Sequence, residues 1–325
     1  MHAIFDKGLA APCPRPFNMA AHVLAHAQAM PDKVALSVIA PDAADHWTYA
    51  RLEAAVRGTA AGLLAAGFVP GDILLMRLGN TVDFPLAYLG AIAVGLVPVP
   101  TSSQLTAVEV GKMVAQLSPR GILRDPRVAC PEDTGRPVID TTALAAMRDL
   151  PPADYAMGDP DRLAYIIYTS GTSGIPRAVM HAQRAIWARR MMHQGWYGLG
   201  ADDRLLHAGA FNWTYTLGTG LMDPWSVGAT ALIPAEGVDM AVLPQLLADH
   251  GATIFAAAPG VYRKILSHHM KMELPALRHG LAAGEKLSDR VRLHWFEATG
   301  TPIYEAYGMS ECSTFISGSP AHPAA

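Results

Sequence analysis

After Thr48, short apolar runs alternate with longer segments whose apolar residues recur at helical spacing. This alternation constrains the fold more than any other feature of the chain. Strands that are apolar along their whole length need cover on both faces, and the intervening helices supply it, so the pattern predicts mainly parallel sheets in an α/β fold. Thr48 caps a first helix carrying Leu52, Val56, Ala60 and Leu63, which ends near Gly67. Residues 73–76, a helix over 82–94 and residues 97–99 then make one β-α-β unit. Thr106 and Glu109 have capping-box spacing ahead of the next helix, and 121–123 reads as the next strand. In the second half strands are expected at 163–168, 204–207, 229–233, 253–257 and 303–306. Helices are expected at 182–192, 215–225, 239–250, 261–268 and 288–299, with Gly251 as a left-handed stop. The stretch 126–158, rich in Pro, Asp and Gly, reads as a linker between two α/β lobes, residues 1–150 and 151–325.

Composition narrows the function classes. Hydrophobic residues make up 51% of the 325 and charged residues 16%, which supports a buried core. Twenty-five Lys+Arg against 28 Asp+Glu, with no basic run, argue against a nucleic-acid binder or a polybasic membrane patch. The most apolar segment, 84–100, is shorter than the roughly 20 residues a membrane span needs. The N-terminus lacks a charged region followed by a long apolar stretch, so no signal peptide is expected. Cys13, Cys130 and Cys312 are far apart and form no C-x-x-C pair, which fits a reducing cytoplasm and not a disulfide framework. The 13 histidines include no H-E-x-x-H, and G-x-S-x-G is absent, so zinc-hydrolase and α/β-hydrolase readings find no footing.

One segment carries chemistry. Thr169, Ser170, Gly171, Thr172, Ser173 and Gly174 follow the apolar strand 163–168, and Arg177 comes three residues later. Glycines let backbone N–H groups converge on an anion, hydroxyls add short donors, and a guanidinium matches phosphate oxygens. By composition alone the segment could equally be a surface turn. Its ordered alternation directly after a buried strand favours phosphate binding. It is not a Walker A loop, because no G-K-[ST] follows.

The run from Tyr168 to Ala178 resembles the signature Y-T-S-G-T-T-G-x-P-K-G of the adenylate-forming, AMP-dependent synthetase and ligase superfamily, departing from it at Ser173, Arg177 and Ala178. Other segments resemble that family in its own order: Trp47 to Leu52, Gly90 to Val99, the A-G-E loop Ala283-Gly284-Glu285, and Glu305-Ala306-Tyr307-Gly308-Met309-Ser310-Glu311 as its Y-G-x-[TS]-E motif. The resemblance implies a reaction in which a carboxylate attacks the α-phosphate of ATP, with Mg²⁺ and then CoA taking part. It implies that Thr169 to Gly174 cradle the β- and γ-phosphates with Arg177 near them. Glu311 would hold Mg²⁺, and Ser310 would touch the α-phosphate or the substrate carboxylate. Tyr307 would stack on adenine beside Gly308, with Glu305, Gly284 and Glu285 around the base. Phe211, Asn212, Trp213 and Tyr215 would wall the acyl pocket, a segment most similar to benzoate and medium-chain acyl-CoA ligases.

The family continues past the Y-G-x-[TS]-E motif into a small β-rich lobe, a hinge and a lysine-bearing C-terminal domain, whereas this sequence stops at Ala325. Little or no ligase activity is therefore expected of these residues alone, with weak nucleotide or acid binding and self-association through exposed apolar surface. The expected function is that of the AMP-binding part of an acid–CoA ligase. An adenylation module loading a carrier protein, or an inactive nucleotide-binding protein from a truncated gene, stand as alternatives.

Overall fold

The computed structural model describes residues 10–169 and 177–320. In chain order the strands of the first half are β1 (Val34–Ala40), β2 (Ala43–Thr48), β3 (Ile73–Arg77), β4 (Val97–Pro100), β5 (Gly121–Arg124) and β6 (Val138–Asp140). They are followed by β7 (Leu163–Thr169), β8 (Arg177–Ala182), β9 (Arg204–His207), β10 (Thr230–Pro234), β11 (Ile254–Ala257), β12 (His279–Ala282), β13 (Ile303–Met309) and β14 (Ser313–Ser317). The helices are α1 (Met19–Val23), α2 (Tyr49–Ala65), α3 (Asp83–Ala93), α4 (Ala107–Leu117) and α5 (Thr141–Met147). Then come α6 (Ala185–Met192), α7 (Asp223–Ser226), α8 (Leu243–Asp249), α9 (Pro259–Leu266) and α10 (Asp289–Thr299).

Two sheets carry the fold. One has the order β14-β13-β12-β11-β9-β10-β1-β2, the other β4-β3-β5-β6, and β7 with β8 forms a separate two-stranded ribbon. From β13 to β1 every neighbouring pair in the larger sheet is parallel, as are all pairs in the smaller one. The expected α/β class with mainly parallel sheets is therefore observed. The sheets do not divide at residue 150. β1, from the first half of the chain, pairs with β10, so Leu36 lies opposite Ala231.

Local signals work where a side chain meets an orphan backbone group. The Thr48 hydroxyl accepts from the Arg51 N–H at 3.2 Å and starts α2. Thr106 and Glu109 close a reciprocal capping box on α4. α3 is buried from Phe84 to Ala93, which explains its uniform apolarity, since a helix covered all round needs no polar face. Gly251 has φ 56° after α8.

Three expectations need correction. The stretch 126–158 contains β6, which extends the smaller sheet, and α5, whose following Arg148 pairs with Asp83 at the start of α3. The expected helix at 182–192 begins only at Ala185, because Arg177–Ala182 is a strand antiparallel to β7. Over 215–225 the chain forms a wide π-type turn, Thr216–Met222, before the short α7.

Candidate functional site

Two hairpins and two helical segments converge on one cavity of about 620 Å³. β7 and β8 form the first hairpin. Its connecting residues, with Ser170, Gly171, Thr172, Ser173 and Gly174, lie outside the described residues. Thr169 closes β7 half-buried, and Arg177 opens β8 directly across from it with its side chain exposed. The second hairpin joins β13 to β14 through a turn at 310–312. Ser310 and Glu311 sit in that turn and line the cavity, as does His181 of β8. The sequence motifs at 168–178 and 305–311 are thus brought to one place.

The remaining wall comes from α6 and from the wide helical turn. Arg189, Met192 and Trp196 line one side, and Thr214, Leu217, Gly218 and Met222 the other. Tyr165 and Tyr88 complete it from β7 and α3. His181 stacks on Tyr165 with ring centroids 4.6 Å apart, and Tyr88 meets Tyr165 edge-on at 5.7 Å. Burial raises Tyr165 to about 12 and Tyr88 well above its usual value, and it lowers His181. The rings are therefore uncharged at neutral pH. Two buried atoms here, Tyr88 Oη and His181 Nε2, have no hydrogen-bond partner among the described residues.

A buried ion pair braces this wall. Arg189 Nε donates to Asp223 Oδ1 at 2.8 Å and its Nη2 to Oδ2 at 2.5 Å. The Tyr197 hydroxyl also donates to Asp223 Oδ2, at 2.8 Å, and Thr219 joins the network. Arg189 Nη1 donates to the Ser313 hydroxyl, so the same guanidinium ties α6 and α7 to the hairpin that carries Glu311. Burial opposes ionisation of Asp223, but Arg189 and His193 outweigh it and hold the carboxyl at about 2. The sequence reading missed this pair. The signal was present as a single charge inside an apolar run, Asp223 between Leu221 and Trp225, whereas Arg189 was masked by its neighbour Arg190.

The expected adenine-side residues are held by one another and by neighbouring helices. Gly284 takes φ 97°, and a Cβ there would fall 2.5 Å from the Trp213 ring, so the A-G-E loop and the acyl-wall segment touch at this point. Glu285 Oε1 accepts from the Gly260 N–H at 2.8 Å and from Arg263, anchoring the loop to α9. Glu305 accepts from the Leu287 N–H at 2.6 Å and pairs with Arg292 of α10. Tyr307 and Gly308 are exposed on β13.

The four expected acyl-wall residues separate. Phe211 is buried against Phe84, with centroids 5.5 Å apart. Phe211 and Asn212 line a second, smaller cavity of about 370 Å³ together with Asn80 and Glu236. Tyr215 is buried and donates its hydroxyl to the Leu281 carbonyl at 3.0 Å, while Trp213 packs on it edge-on. Thr214 and Leu217, the sequence neighbours of these aromatics, face the larger cavity in their place.

Among the described residues no three His, Cys, Asp or Glu side chains are grouped to hold a metal. Glu311 is nevertheless suited to Mg²⁺, which takes one or two protein carboxylates and completes its shell with phosphate and water oxygens. It is exposed, at the cavity edge, and pairs with no cation among the described residues. Among those residues no helix is long and apolar enough to cross a membrane.

The model of the AMP-binding enzyme family matches residues 23–325. Over 81% of its length the chain is 27% identical to a 3-hydroxybenzoate–CoA ligase of Aromatoleum sp. (strain CIB), covering 54% of that protein. It is 28% identical to a benzoate–CoA ligase of Thauera aromatica, over 83% of this chain and 55% of the relative. The fold superposes on a benzoate CoA ligase from Burkholderia xenovorans LB400 with a TM-score of 0.81 and 24% identity, covering 95% of this chain and 64% of that one. The chain spans about half the length of the curated relatives it matches. Because the family match runs across nearly the whole sequence, the chain belongs to the AMP-binding enzyme family.

Proposed function

We propose that these residues form the AMP-binding part of an acid–CoA ligase acting on an aromatic or medium-chain carboxylic acid. The observation that carries the reading is the cavity walled by Tyr88, Tyr165, Trp196, Leu217 and Met222 that opens beside Ser310 and Glu311. Its size and mixed aromatic and aliphatic lining suit a small organic acid. The acid's carboxylate oxygen attacks the α-phosphorus of ATP and pyrophosphate leaves. The CoA sulfur then attacks the acyl carbon and AMP leaves. Mg²⁺ bound at Glu311 would neutralise phosphate charge during the first transfer. Ser310, half-buried at the cavity edge, would donate to the carboxylate or the α-phosphate, and Thr169 and Arg177 flank in sequence the loop that would take the outer phosphates. The aromatic walls exclude water from the mixed anhydride. Three unpaired cysteines agree with a reducing cytoplasmic setting.

Acid-dependent ATP–pyrophosphate exchange tests the reading. It should be run on this chain and on this chain joined to the C-terminal part of a benzoate–CoA ligase, across benzoates, straight-chain acids and amino acids. Exchange with aromatic or medium-chain acids in the joined protein is the expected result. Exchange with amino acids alone would favour a carrier-protein module, and no exchange with any acid would refute both.

A further inference from the structure

We infer that Ser313 is a positioning residue for adenylation, whose hydroxyl, held by Arg189, fixes the turn that carries Ser310 and Glu311. This rests on the acid–CoA ligase reading above and adds a residue to its machinery. β13 runs into β14 through that turn, which the Cys312 N–H closes by donating to the Met309 carbonyl at 3.2 Å. Glu311 and Cys312 are exposed, so packing does little to hold them. The chain returns to β14 at Ser313, where φ is 62°. Among the described residues only Ser118 and Ser313 are non-glycine residues with positive φ. Ser118 ends α4, where a left-handed stop is ordinary. At the end of a hairpin turn the same conformation normally falls to glycine, which has no Cβ to crowd the backbone.

A serine at this position is explained by its side chain. The hydroxyl accepts from Arg189 Nη1, and the guanidinium that donates is itself immobilised. Both oxygens of Asp223 accept from it, and so do the Tyr197 and Thr219 hydroxyls. It lies against bare backbone at Gly218, where a Cβ would fall 2.3 Å from Arg189 Cζ. The guanidinium is therefore a rigid reference point tied to α6, to the wide turn and to α7. A charge-assisted hydrogen bond from it holds Ser313 in a conformation that its backbone disfavours. Glu311 stands two residues back along the chain and Ser310 three, and all three line the cavity. Fixing Ser313 thus fixes where those two side chains enter the site, and misplacing reacting groups by about 1 Å costs about a hundredfold in rate. The wall of the acid cavity and the turn beside it share one anchor.

Three variants separate the hydroxyl from the backbone. Ser313→Gly suits the left-handed conformation and removes the acceptor, and Ser313→Ala removes the acceptor and keeps the strain. Ser313→Asn tolerates the conformation and offers Arg189 an amide oxygen. On the purified chain, hydrogen–deuterium exchange of the hairpin 306–317 and Tm are measured. On the joined protein described above, kcat and acid KM are measured for ATP–pyrophosphate exchange with the acid that exchanges fastest. In Ser313→Gly and Ser313→Ala the hairpin amides should exchange about tenfold faster, the order of one hydrogen bond to a charged group. Their kcat should fall about tenfold or more while acid KM stays within about threefold, and Ser313→Asn should recover both losses. Tm of Ser313→Gly should not fall, which separates positioning from folding. Hairpin exchange or kcat unchanged in Ser313→Gly would overturn the inference and leave the ligase reading standing. So would a Tm loss in Ser313→Gly equal to that in Ser313→Ala, or a Ser313→Asn variant no better than Ser313→Ala. No exchange with any acid in the unsubstituted joined protein would remove the ligase reading, and the inference with it.

Discussion

Asp223→Asn keeps the shape of a wholly buried side chain and removes the charge that balances Arg189. In place of an oxygen that accepts from both the Arg189 guanidinium and the Tyr197 hydroxyl, one position becomes an amide donor facing donors. Breaking one partner of a buried ion pair costs about 3–5 kcal/mol, because the remaining charge stays in a poorly solvated site. At about 2.1 cal/mol/K per residue, unfolding entropy for a chain of this size is about 0.7 kcal/mol/K, so Tm should fall by about 4–7 °C. Acid should reveal the same interaction. The folded carboxyl titrates at about 2 against roughly 3.9 when unfolded, a depression that stabilises by about 2–3 kcal/mol. That stability is complete above about pH 4 and is lost as pH falls toward 2, so the gap between wild type and variant should narrow below pH 4. Thermal melts by circular dichroism at pH 7.5, 5 and 3.5 measure both effects. Asp161→Asn, at an exposed pair with Arg15 and Arg184, is the control and should leave Tm within about 1 °C. A drop below about 2 °C for Asp223→Asn at pH 7.5 would refute the claim that this pair braces the cavity wall.

Three further outcomes follow from the same structure. Burial lowers His207 to about 3 and His22 and His279 to about 4, below the unfolded value of about 6.5. Stability is therefore full above pH 6.5 and is lost as pH falls through 6.5 toward 3, so Tm should decline by several degrees between pH 7.5 and 5, and a flat profile would contradict it. Gly284→Ala places a methyl group 2.5 Å from the Trp213 ring at a backbone φ of 97°. It should cost about 1–3 kcal/mol and shift tryptophan emission, which fluorescence-monitored urea unfolding would detect. Thr106→Ala removes the hydroxyl that caps α4 and should cost about 1 kcal/mol in the same assay.

The elements legible in the sequence are those fixed by local chemistry. Thr48 and Thr106 announce helix starts because a hydroxyl meets an orphan N–H within three residues. The uniform apolarity of Phe84 to Ala93 announces a helix covered on all sides. What stayed hidden depends on distant partners. β8 alternates poorly, with Arg177 and Met180 exposed and its other residues half-buried, because it belongs to a two-stranded ribbon and not to a sheet buried on both faces. β12, His279–Ala282, holds a histidine and a glycine among its four residues, so it lacks an apolar run and is defined by its neighbours β11 and β13. The same holds for the cavity. The turn bearing Ser310 and Glu311 was singled out by the resemblance of the run from Glu305 to Glu311 to a family motif, not by its spacing alone. Tyr88, Arg189 and Asp223 come from separate elements, and no one-dimensional pattern links them.

The placement of β1 inside the larger sheet has a consequence for how the chain reaches its fold. β1 and β2 are joined by a tight turn and can pair as soon as they are made. The other edge of β1, with Ala35, Leu36 and Ile39 fully buried in the finished protein, must wait for β10. At about 5–20 residues per second, synthesis of the intervening chain takes roughly 10–40 s, during which that apolar edge has no native partner. Such long-range pairing slows folding, because the loop must close before any contact rewards it. Once the sheet is complete the hazard moves to β2. There Asp45 and His46 project into solvent on the last strand, and side chains of this kind discourage a second chain from adding to the edge. Assembly of the larger sheet therefore waits until β10 has been made, and until then the unpaired side of β1 is open to association with other chains.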